Sequence, residues 1–147
     1  MFFLGQYHHN LDDKGRLTIP ARYRDVLAAN GACVMQGFDH NLMVWTASAY
    51  DHISQRVNRL SITDPSARML KRLIFSTADR VEVDKAGRIL IPQFLREFAE
   101  LETDAVLIGN GDYFEIWSPA VWSGQEQQLQ DAEGNQQRFQ SLELTME

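Results

Sequence analysis

The hydrophobic and polar positions of the chain follow one order twice, at an offset of 72 residues (84 minus 12). In each copy a short alternating stretch leads through a polar turn into a second short strand, a brief helix, two longer strands and a closing helix. The strands predicted for the first copy lie at 6–11, 17–19, 33–36 and 42–46, with helices at 21–27 and from 47 onward. Those predicted for the second copy lie at 80–83, 89–91, 105–108 and 113–118, with helices at 93–99 and from 119 onward. The pattern predicts two copies of one mainly β unit with helices, an α+β fold.

The two copies also match residue by residue. The clearest match joins DDKGRLTIP at 12–20 to DKAGRILIP at 84–92. The alignment continues without a gap, pairing Arg24 with Arg96, Val34 with Val106, Gly37 with Gly109 and Trp45 with Trp117. A match at one fixed offset indicates a tandem duplication.

The matched segment reads as a turn between two strands, followed by a helix. Asp12 and Asp84 begin the turns, where a carboxylate accepts hydrogen bonds from turn amides. Gly15 and Gly87 occupy the fourth position, where glycine accepts a positive φ. The proline that follows favours a helix start, because the first helical turn does not need its missing N–H.

Changes in composition along the chain suggest its domain boundaries. We predict a first repeat at 6–52, a helical linker at 53–77 with a helix at about 63–76, and a second repeat at 78–124. Residues 125–147 form an acidic, partly disordered tail, in which 132–147 is rich in Gln and Glu and loses its apolar spacing. One repeat is too small to bury its own core, so the two copies are expected to pair with each other, and exposed edges would favour assembly with other chains.

The bulk composition points to a cytoplasmic globular protein. Of the 147 residues, 44% are hydrophobic and 23% charged, and no apolar run approaches the roughly 20 residues of a membrane span. The start lacks the features of a signal peptide, and the single cysteine, Cys33, rules out an intrachain disulfide and a cysteine-based zinc site.

The net charge of −6 argues against a polyanionic partner only on average. Two stretches are locally basic: Lys14, Arg16, Arg22 and Arg24 near the start, and Arg56, Arg59, Arg68, Lys71 and Arg72 in mid-chain. The mid-chain group also fits a solvated helix face. An acidic chain can still present a basic face, above all when an oligomer repeats it.

Enzymatic and metal-binding interpretations find little support. Asp12 and Asp84 would form a carboxylate pair only if the two copies met about a two-fold axis, and an aspartate at a turn start more often caps the backbone. His8 and His9 are adjacent on a predicted strand and face opposite sides, which disfavours a shared metal ion. No nucleophile–base set and no glycine-rich phosphate loop is present, so we expect a protein that is not an enzyme and needs no cofactor or metal.

Arg16 and Arg88 each follow a turn glycine directly. One interpretation pairs each arginine with the aspartate of its own turn and makes it a hairpin brace. The other holds the guanidinium forward for a DNA phosphate or a guanine edge. The first copy is the stronger DNA candidate because more cations surround it, and its predicted DNA contacts are Lys14, Arg16, Arg22 and Arg24.

The segments DDKGRLTIPARYR at 12–24, DKAGR at 84–88 and FEIW at 114–117 resemble the bacterial MraZ proteins. The resemblance implies two tandem AbrB-like, swapped-hairpin β-barrel repeats related by a pseudo-two-fold axis. It also implies a ring-shaped homo-oligomer that binds short direct repeats and regulates the division and cell-wall gene cluster. Family DNA binding maps onto Asp12, Lys14, Gly15 and Arg16.

The sequence therefore predicts a sequence-specific DNA-binding transcriptional regulator, a repressor of that cluster including its own gene. Its partners would be double-stranded DNA and further copies of itself, in the cytoplasm and on the nucleoid. The alternative is an oligomeric protein-interaction scaffold without specific DNA binding.

Overall fold

The computed structural model describes residues 2–29 and 31–144, and its elements follow the predicted order twice. The strands are β1 (Gln6–Asn10), β2 (Arg16–Thr18), β3 (Ala32–Gln36), β4 (Leu42–Thr46), β5 (Asp79–Val81), β6 (Arg88–Leu90), β7 (Asp104–Gly109) and β8 (Tyr113–Trp117). The helices are α1 (Ala21–Ala28), α2 (Ala47–Asn58), α3 (Pro65–Ser76), α4 (Gln93–Phe98), α5 (Pro119–Gln130) and α6 (Ala132–Phe139), followed by a 3-10 turn at Gln140–Leu142. None of these helices has the length and apolar character needed to cross a membrane.

The strands form two antiparallel sheets in which the copies interlock. Six strands lie in the order β1-β7-β8-β4-β3-β5, and β2 pairs with β6 in a separate two-stranded ribbon. Exchanging each strand for its counterpart in the other copy reverses the six-stranded order into itself, so a pseudo-two-fold axis passes between β4 and β8. The first strand of each copy pairs with the other copy, β1 with β7 and β5 with β3. This confirms the predicted tandem α+β repeat and its swapped hairpins.

The six-stranded sheet is open, so the strands do not close into the β-barrels that the resemblance implies. Its end strands are β1 and β5, and within 2–29 and 31–144 no strand joins them. The sheet stays open because β2 and β6 hydrogen-bond to each other instead of to β1 and β5. The ribbon that they form covers one face of the sheet. The barrel is thereby replaced by a sheet and a ribbon that face each other.

One hydrophobic core fills the space between the sheet and the ribbon. Matched residues from both copies are fully buried there: Leu17 with Ile89, Ile19 with Ile91, Leu42 with Phe114 and Val44 with Ile116. Phe3, which precedes the predicted first repeat, is also buried and packs edge-on against the rings of Tyr23 and Phe114. Because neither copy completes this core alone, the predicted pairing of the copies is confirmed.

Helices cover the other face of the sheet. Pairing of α2 with α3 buries Val57 and Ile74 against Met35 and Met43, while Trp122 of α5 packs on the neighbouring sheet surface. The predicted caps are in place: Thr46 Oγ1 accepts from the backbone N of Ala49 at 3.1 Å, and Ser118 Oγ from that of Val121 at 3.2 Å.

The C-terminal segment is helical over most of its length. Within the segment 132–147, for which the sequence predicts disorder, residues 132–142 form α6 and the 3-10 turn, while 145–147 lie outside the described residues. Asp131 caps α6 by accepting from the backbone N of Gly134 at 3.1 Å, a local signal that the polar composition masked. No residue of α6 is buried. The domain boundaries near 52 and 124 fall inside α2 and α5 and stay a prediction.

Candidate nucleic-acid interface

The ribbon presents one side to the core and the other to solvent. In its register Arg16 pairs with Leu90, Leu17 with Ile89 and Thr18 with Arg88. Directly paired and alternate residues share a face of a ribbon, and the middle pair is fully buried. The outer side, which we call the ribbon face, therefore consists of Arg16, Thr18, Arg88 and Leu90.

The turn at 12–16 holds Arg16 through the carboxylate of Asp12. Asp12 Oδ1 accepts hydrogen bonds from the backbone N of Lys14 at 3.0 Å and of Arg16 at 2.8 Å. Gly15 adopts φ +86°, a conformation that side chains other than that of glycine rarely accept. This is the turn geometry that the sequence predicts.

The turn at 84–88 repeats the arrangement. Asp84 Oδ1 accepts from the backbone N of Ala86 and of Arg88, both at 2.9 Å, and Gly87 has φ +79°. The two copies thus present equivalent turns at the two ends of the ribbon.

Both arginines of the ribbon face reach back to their own turns. Arg16 Nε lies 2.7 Å from Asp12 Oδ2, and Arg88 Nε lies 3.2 Å from Asp84 Oδ2. Arg88 Nη1 also lies 3.5 Å from Asp12 Oδ2, an ion pair between the copies. Among the described residues Arg16 makes no hydrogen bond through its terminal nitrogens, and its side chain is 34% exposed. For Arg16 the brace and the ligand-binding interpretation are therefore compatible, because its brace uses only Nε, whereas Arg88 also engages Nη1.

The turn carboxylates are stabilised in their charged form. The backbone N–H of Arg16 is the main group that lowers the pKa of Asp12 below its usual 3.8, and the Arg16 guanidinium acts in the same direction. The backbone N–H of Arg88 lowers the pKa of Asp84 likewise, followed by the charge of the Arg88 guanidinium. Both aspartates are ionised at neutral pH and offset part of the positive charge around them.

Arg24 and Arg96 cross from each copy to the turn of the other. A Cβ added at Gly87 would lie 2.5 Å from Arg24 Cζ, and one added at Gly15 would lie 2.6 Å from Arg96 Cζ. Each arginine also donates from Nε to a carbonyl of its own copy, Arg24 to Ile19 O at 2.8 Å and Arg96 to Ile91 O at 3.0 Å. Each guanidinium therefore ties the helix of one copy to the turn of the other.

Sequence reasoning assigned Arg24 to DNA and did not single out Arg96. The match between Arg24 and Arg96 at the fixed offset could have identified Arg96. Their contact with the opposite turn depends on the exchange of strands between the copies, which the local sequence does not reveal. As a DNA contact, Arg24 stays a prediction, and the structure gives it a positioning role.

The turns and the arginines across them carry positive charge. The turn surface, as we define it, comprises Asp12, Asp13, Lys14, Arg16, Arg24, Asp84, Lys85, Arg88 and Arg96. Six of these side chains are basic and three acidic, a net charge of +3 on a chain of net charge −6. The rest of the chain therefore carries a net charge of −9 (−6 minus +3), although its segment 56–72 is also locally basic, with five basic side chains against Asp64.

The other predicted residues are less tightly grouped. Lys14 is exposed in the first turn, whereas Arg22 is exposed on α1, and no hydrogen bond or ion pair among the described residues ties Arg22 to either turn. His8 and His9 face opposite sides of β1, as their spacing predicts. In the part of the chain that the structure describes, no three His, Cys, Asp or Glu side chains are grouped as metal ligands.

The sequence of the chain matches a known family model and several known proteins. A family model described as "MraZ protein, putative antitoxin-like" matches the chain twice, at 2–73 and 74–142. A protein of Roseiflexus castenholzii named "Transcriptional regulator MraZ" is 48% identical over 120 residues, 82% of this chain and 83% of that protein. Proteins of the same name from Thermomicrobium roseum (43% over 127 residues, 86% and 89%) and Desulfitobacterium hafniense (42% over 130 residues, 88% and 90%) are also similar. The two family matches divide the chain at the tail of α3, between the two copies.

Proposed function

The chain belongs to the MraZ family, and on that premise we propose that it is a DNA-binding transcriptional regulator, not an enzyme, whose DNA contacts come from the ribbon face and the turn surface. The observation that carries the proposal is that six basic side chains from both copies meet at the turns and the ribbon, on a chain whose other residues sum to a net charge of −9. DNA phosphates attract such a patch, while the acidic remainder repels the polyanion. Together these charges favour one orientation of the protein on DNA.

The dimensions of the ribbon fit the major groove. Paired strands lie about 4.8 Å apart, and the major groove is about 12 Å wide and admits a two-stranded ribbon. Arg16 and Arg88 are diagonal neighbours in the register, which places them about 7–8 Å apart. Because bases follow one another about every 3.4 Å along a strand, the two guanidiniums would reach bases about two steps apart. Their terminal nitrogens match the two acceptors of a guanine edge.

The same surface also bears on the assembly of the protein, its DNA targets and its location. One ribbon makes few contacts, so a homo-oligomer that repeats it, such as a ring, gains affinity through effective concentration on repeated DNA sites. We accordingly propose direct repeats upstream of its own gene and the division and cell-wall cluster as targets, repression as the outcome, and the cytoplasm and nucleoid as the location. In this account Lys14 and Arg22 contact phosphates.

A scaffold function remains the second candidate because large apolar side chains are exposed. Phe2 and Leu4 beside β1 are 66% and 69% exposed, and Met69 of α3 is 63% exposed. Exposed apolar patches mark protein interfaces when they are contiguous. A folded oligomer that binds no promoter fragment in preference to random DNA would favour this candidate.

The test is a titration of the protein against duplex DNA from upstream of its own gene, at two salt concentrations. We expect Arg16→Ala to weaken binding per site by roughly 5- to 150-fold, the value of one bidentate base contact, and to leave the oligomer unchanged. The matched control is Arg138→Ala, which removes the same charge from exposed α6. Binding that is insensitive to salt, or equally weakened by both substitutions, would contradict the proposed function.

A further inference from the structure

On the ribbon face, the two copies differ at one pair of equivalent positions. Arg16 and Arg88 are equivalent, but Thr18 is matched by Leu90. Leu90 is 54% exposed and is the one apolar side chain on this face. It lies directly opposite Arg16 across the ribbon, so their Cβ atoms are about 5 Å apart. An exposed leucine therefore adjoins the guanidinium that the proposed function assigns to a base.

The major groove offers one apolar group that a leucine can cover. Guanine, cytosine and adenine present hydrogen-bonding atoms there, and thymine adds a C5-methyl group. A leucine cannot satisfy hydrogen-bonding edges, but it gains free energy by removing a methyl group from water. The position of Leu90 beside Arg16 thus suits a thymine next to the base that Arg16 contacts.

We propose that Leu90 is a specificity-determining residue that packs on the C5-methyl group of a thymine adjacent to the base bound by Arg16. This inference rests on the proposed function, because it requires the ribbon face to enter the major groove. At the other end Thr18 lies opposite Arg88 and offers a hydroxyl and a smaller methyl group. The two ends of the ribbon face therefore prefer different bases, and each subunit binds its DNA site in one direction.

The proposal is tested with deoxyuridine, which lacks the thymine methyl group and keeps its hydrogen-bonding atoms. The probe is the shortest duplex from upstream of its own gene that retains full affinity, with each thymine replaced in turn. For the unsubstituted protein we expect one position at which the replacement weakens binding about fourfold per site, the value of one buried methyl-sized group. For Leu90→Ala we expect weaker binding to the thymine duplex and no further loss at that position.

The matched control is Leu129→Ala, which removes a leucine of similar exposure (53%) from α5. It should retain the full thymine dependence. Because Leu90 is exposed, its truncation should preserve the fold, which circular dichroism and the oligomer mass verify. Leu90→Thr, which restores the symmetry of the ribbon face, should reduce the thymine preference without abolishing salt-dependent binding.

Three outcomes would overturn the inference. Equal methyl dependence in the unsubstituted protein and in Leu90→Ala would remove Leu90 from the DNA interface while leaving the proposed function intact. A change in oligomer mass with unaltered thymine dependence would assign Leu90 to a contact between copies of the chain. If the unsubstituted protein shows no salt-dependent, sequence-preferring binding at all, the proposed function fails, and this inference fails with it.

Discussion

At the residue scale, the two turns depend on glycine for conformation and for space. Gly15 has φ +86°, and Arg96 occupies the volume that a side chain at Gly15 would need. A left-handed conformation costs other residues on the order of 1–3 kcal/mol. The guanidinium is the far end of a flexible side chain, but moving it breaks its hydrogen bond to Ile91 O. The glycine and the arginine of the opposite copy therefore act as one unit.

We expect Gly15→Ala to lower the free energy of unfolding by about 1–3 kcal/mol, measured by urea denaturation. The matched control is Gly124→Ala in α5, where an added Cβ meets nothing within 4 Å. That substitution should raise stability by up to about 1 kcal/mol, because alanine is the better helix former. Equal effects of the two substitutions would contradict the role of the turn conformation.

Glu115 carries a second prediction at this scale. Burial raises its pKa above the usual 4.5, although the indole N–H of Trp117 donates to Oε1 at 2.9 Å and acts in the opposite direction. A raised carboxyl pKa means that folding favours the protonated form. The stability contribution is therefore greatest below pH 4.5 and declines as the pH rises through the higher folded-state pKa.

Glu115→Gln should accordingly raise the thermal midpoint at pH 7, because it removes a half-buried charge and keeps an acceptor for Trp117. The gain should disappear towards pH 4. Glu126→Gln is the control, since Glu126 accepts from the indole N–H of Trp122 at 3.3 Å. A gain that is independent of pH, or the same in both variants, would show that the half-buried charge of Glu115 is not its cause.

At the element scale, the sequence was informative wherever local rules decide the structure. The turns at 12–16 and 84–88, the proline-led helices and the caps at Thr46 and Ser118 all follow from near neighbours, and they are found where predicted. Local patterns do not show which strand pairs with which. The open sheet, and the crossing of Arg24 and Arg96 to opposite turns, depend on pairing between residues that are 45 to 102 positions apart in the sequence. At the C-terminus, the polar composition suggested disorder. Because α6 buries no face, its sequence has no apolar spacing that would indicate a helix.

The exposure of α6 predicts that the tail contributes little to the fold. Removal of residues 132–147 should change the free energy of unfolding by less than about 0.5 kcal/mol, the usual range for exposed positions. Removal of α5 as well takes away Trp122, which is 6% exposed and packs 5.4 Å from Trp117 between ring centroids, and should cost several kcal/mol. Chemical denaturation of both truncated proteins distinguishes them. A large loss from the shorter truncation would mean that α6 supports the fold.

At the scale of the whole molecule, we expect the chain to unfold as one cooperative body, because its core is shared between the two copies. The middle pair of the ribbon, Leu17 and Ile89, is fully buried between them, and β4 pairs with β8 across the pseudo-two-fold axis. The fragments 1–77 and 78–147 each lack half of this core. As monomers, each should therefore fail to unfold cooperatively, and mixing them should restore cooperative unfolding, as followed by circular dichroism. A separate fragment that melts cooperatively as a monomer would contradict the shared core.

The same symmetry makes the ribbon face a single interface built by both copies, and this is the central claim. The measurement that tests it most directly is the affinity of Arg88→Ala for DNA from upstream of its own gene, beside Arg16→Ala and the Arg138→Ala control. Because Arg16 and Arg88 lie diagonally on one face, we predict that both weaken binding to a similar degree and that the control does not. Full affinity of a folded Arg88→Ala oligomer, with Arg16→Ala impaired, would confine the DNA site to the first copy and contradict the claim.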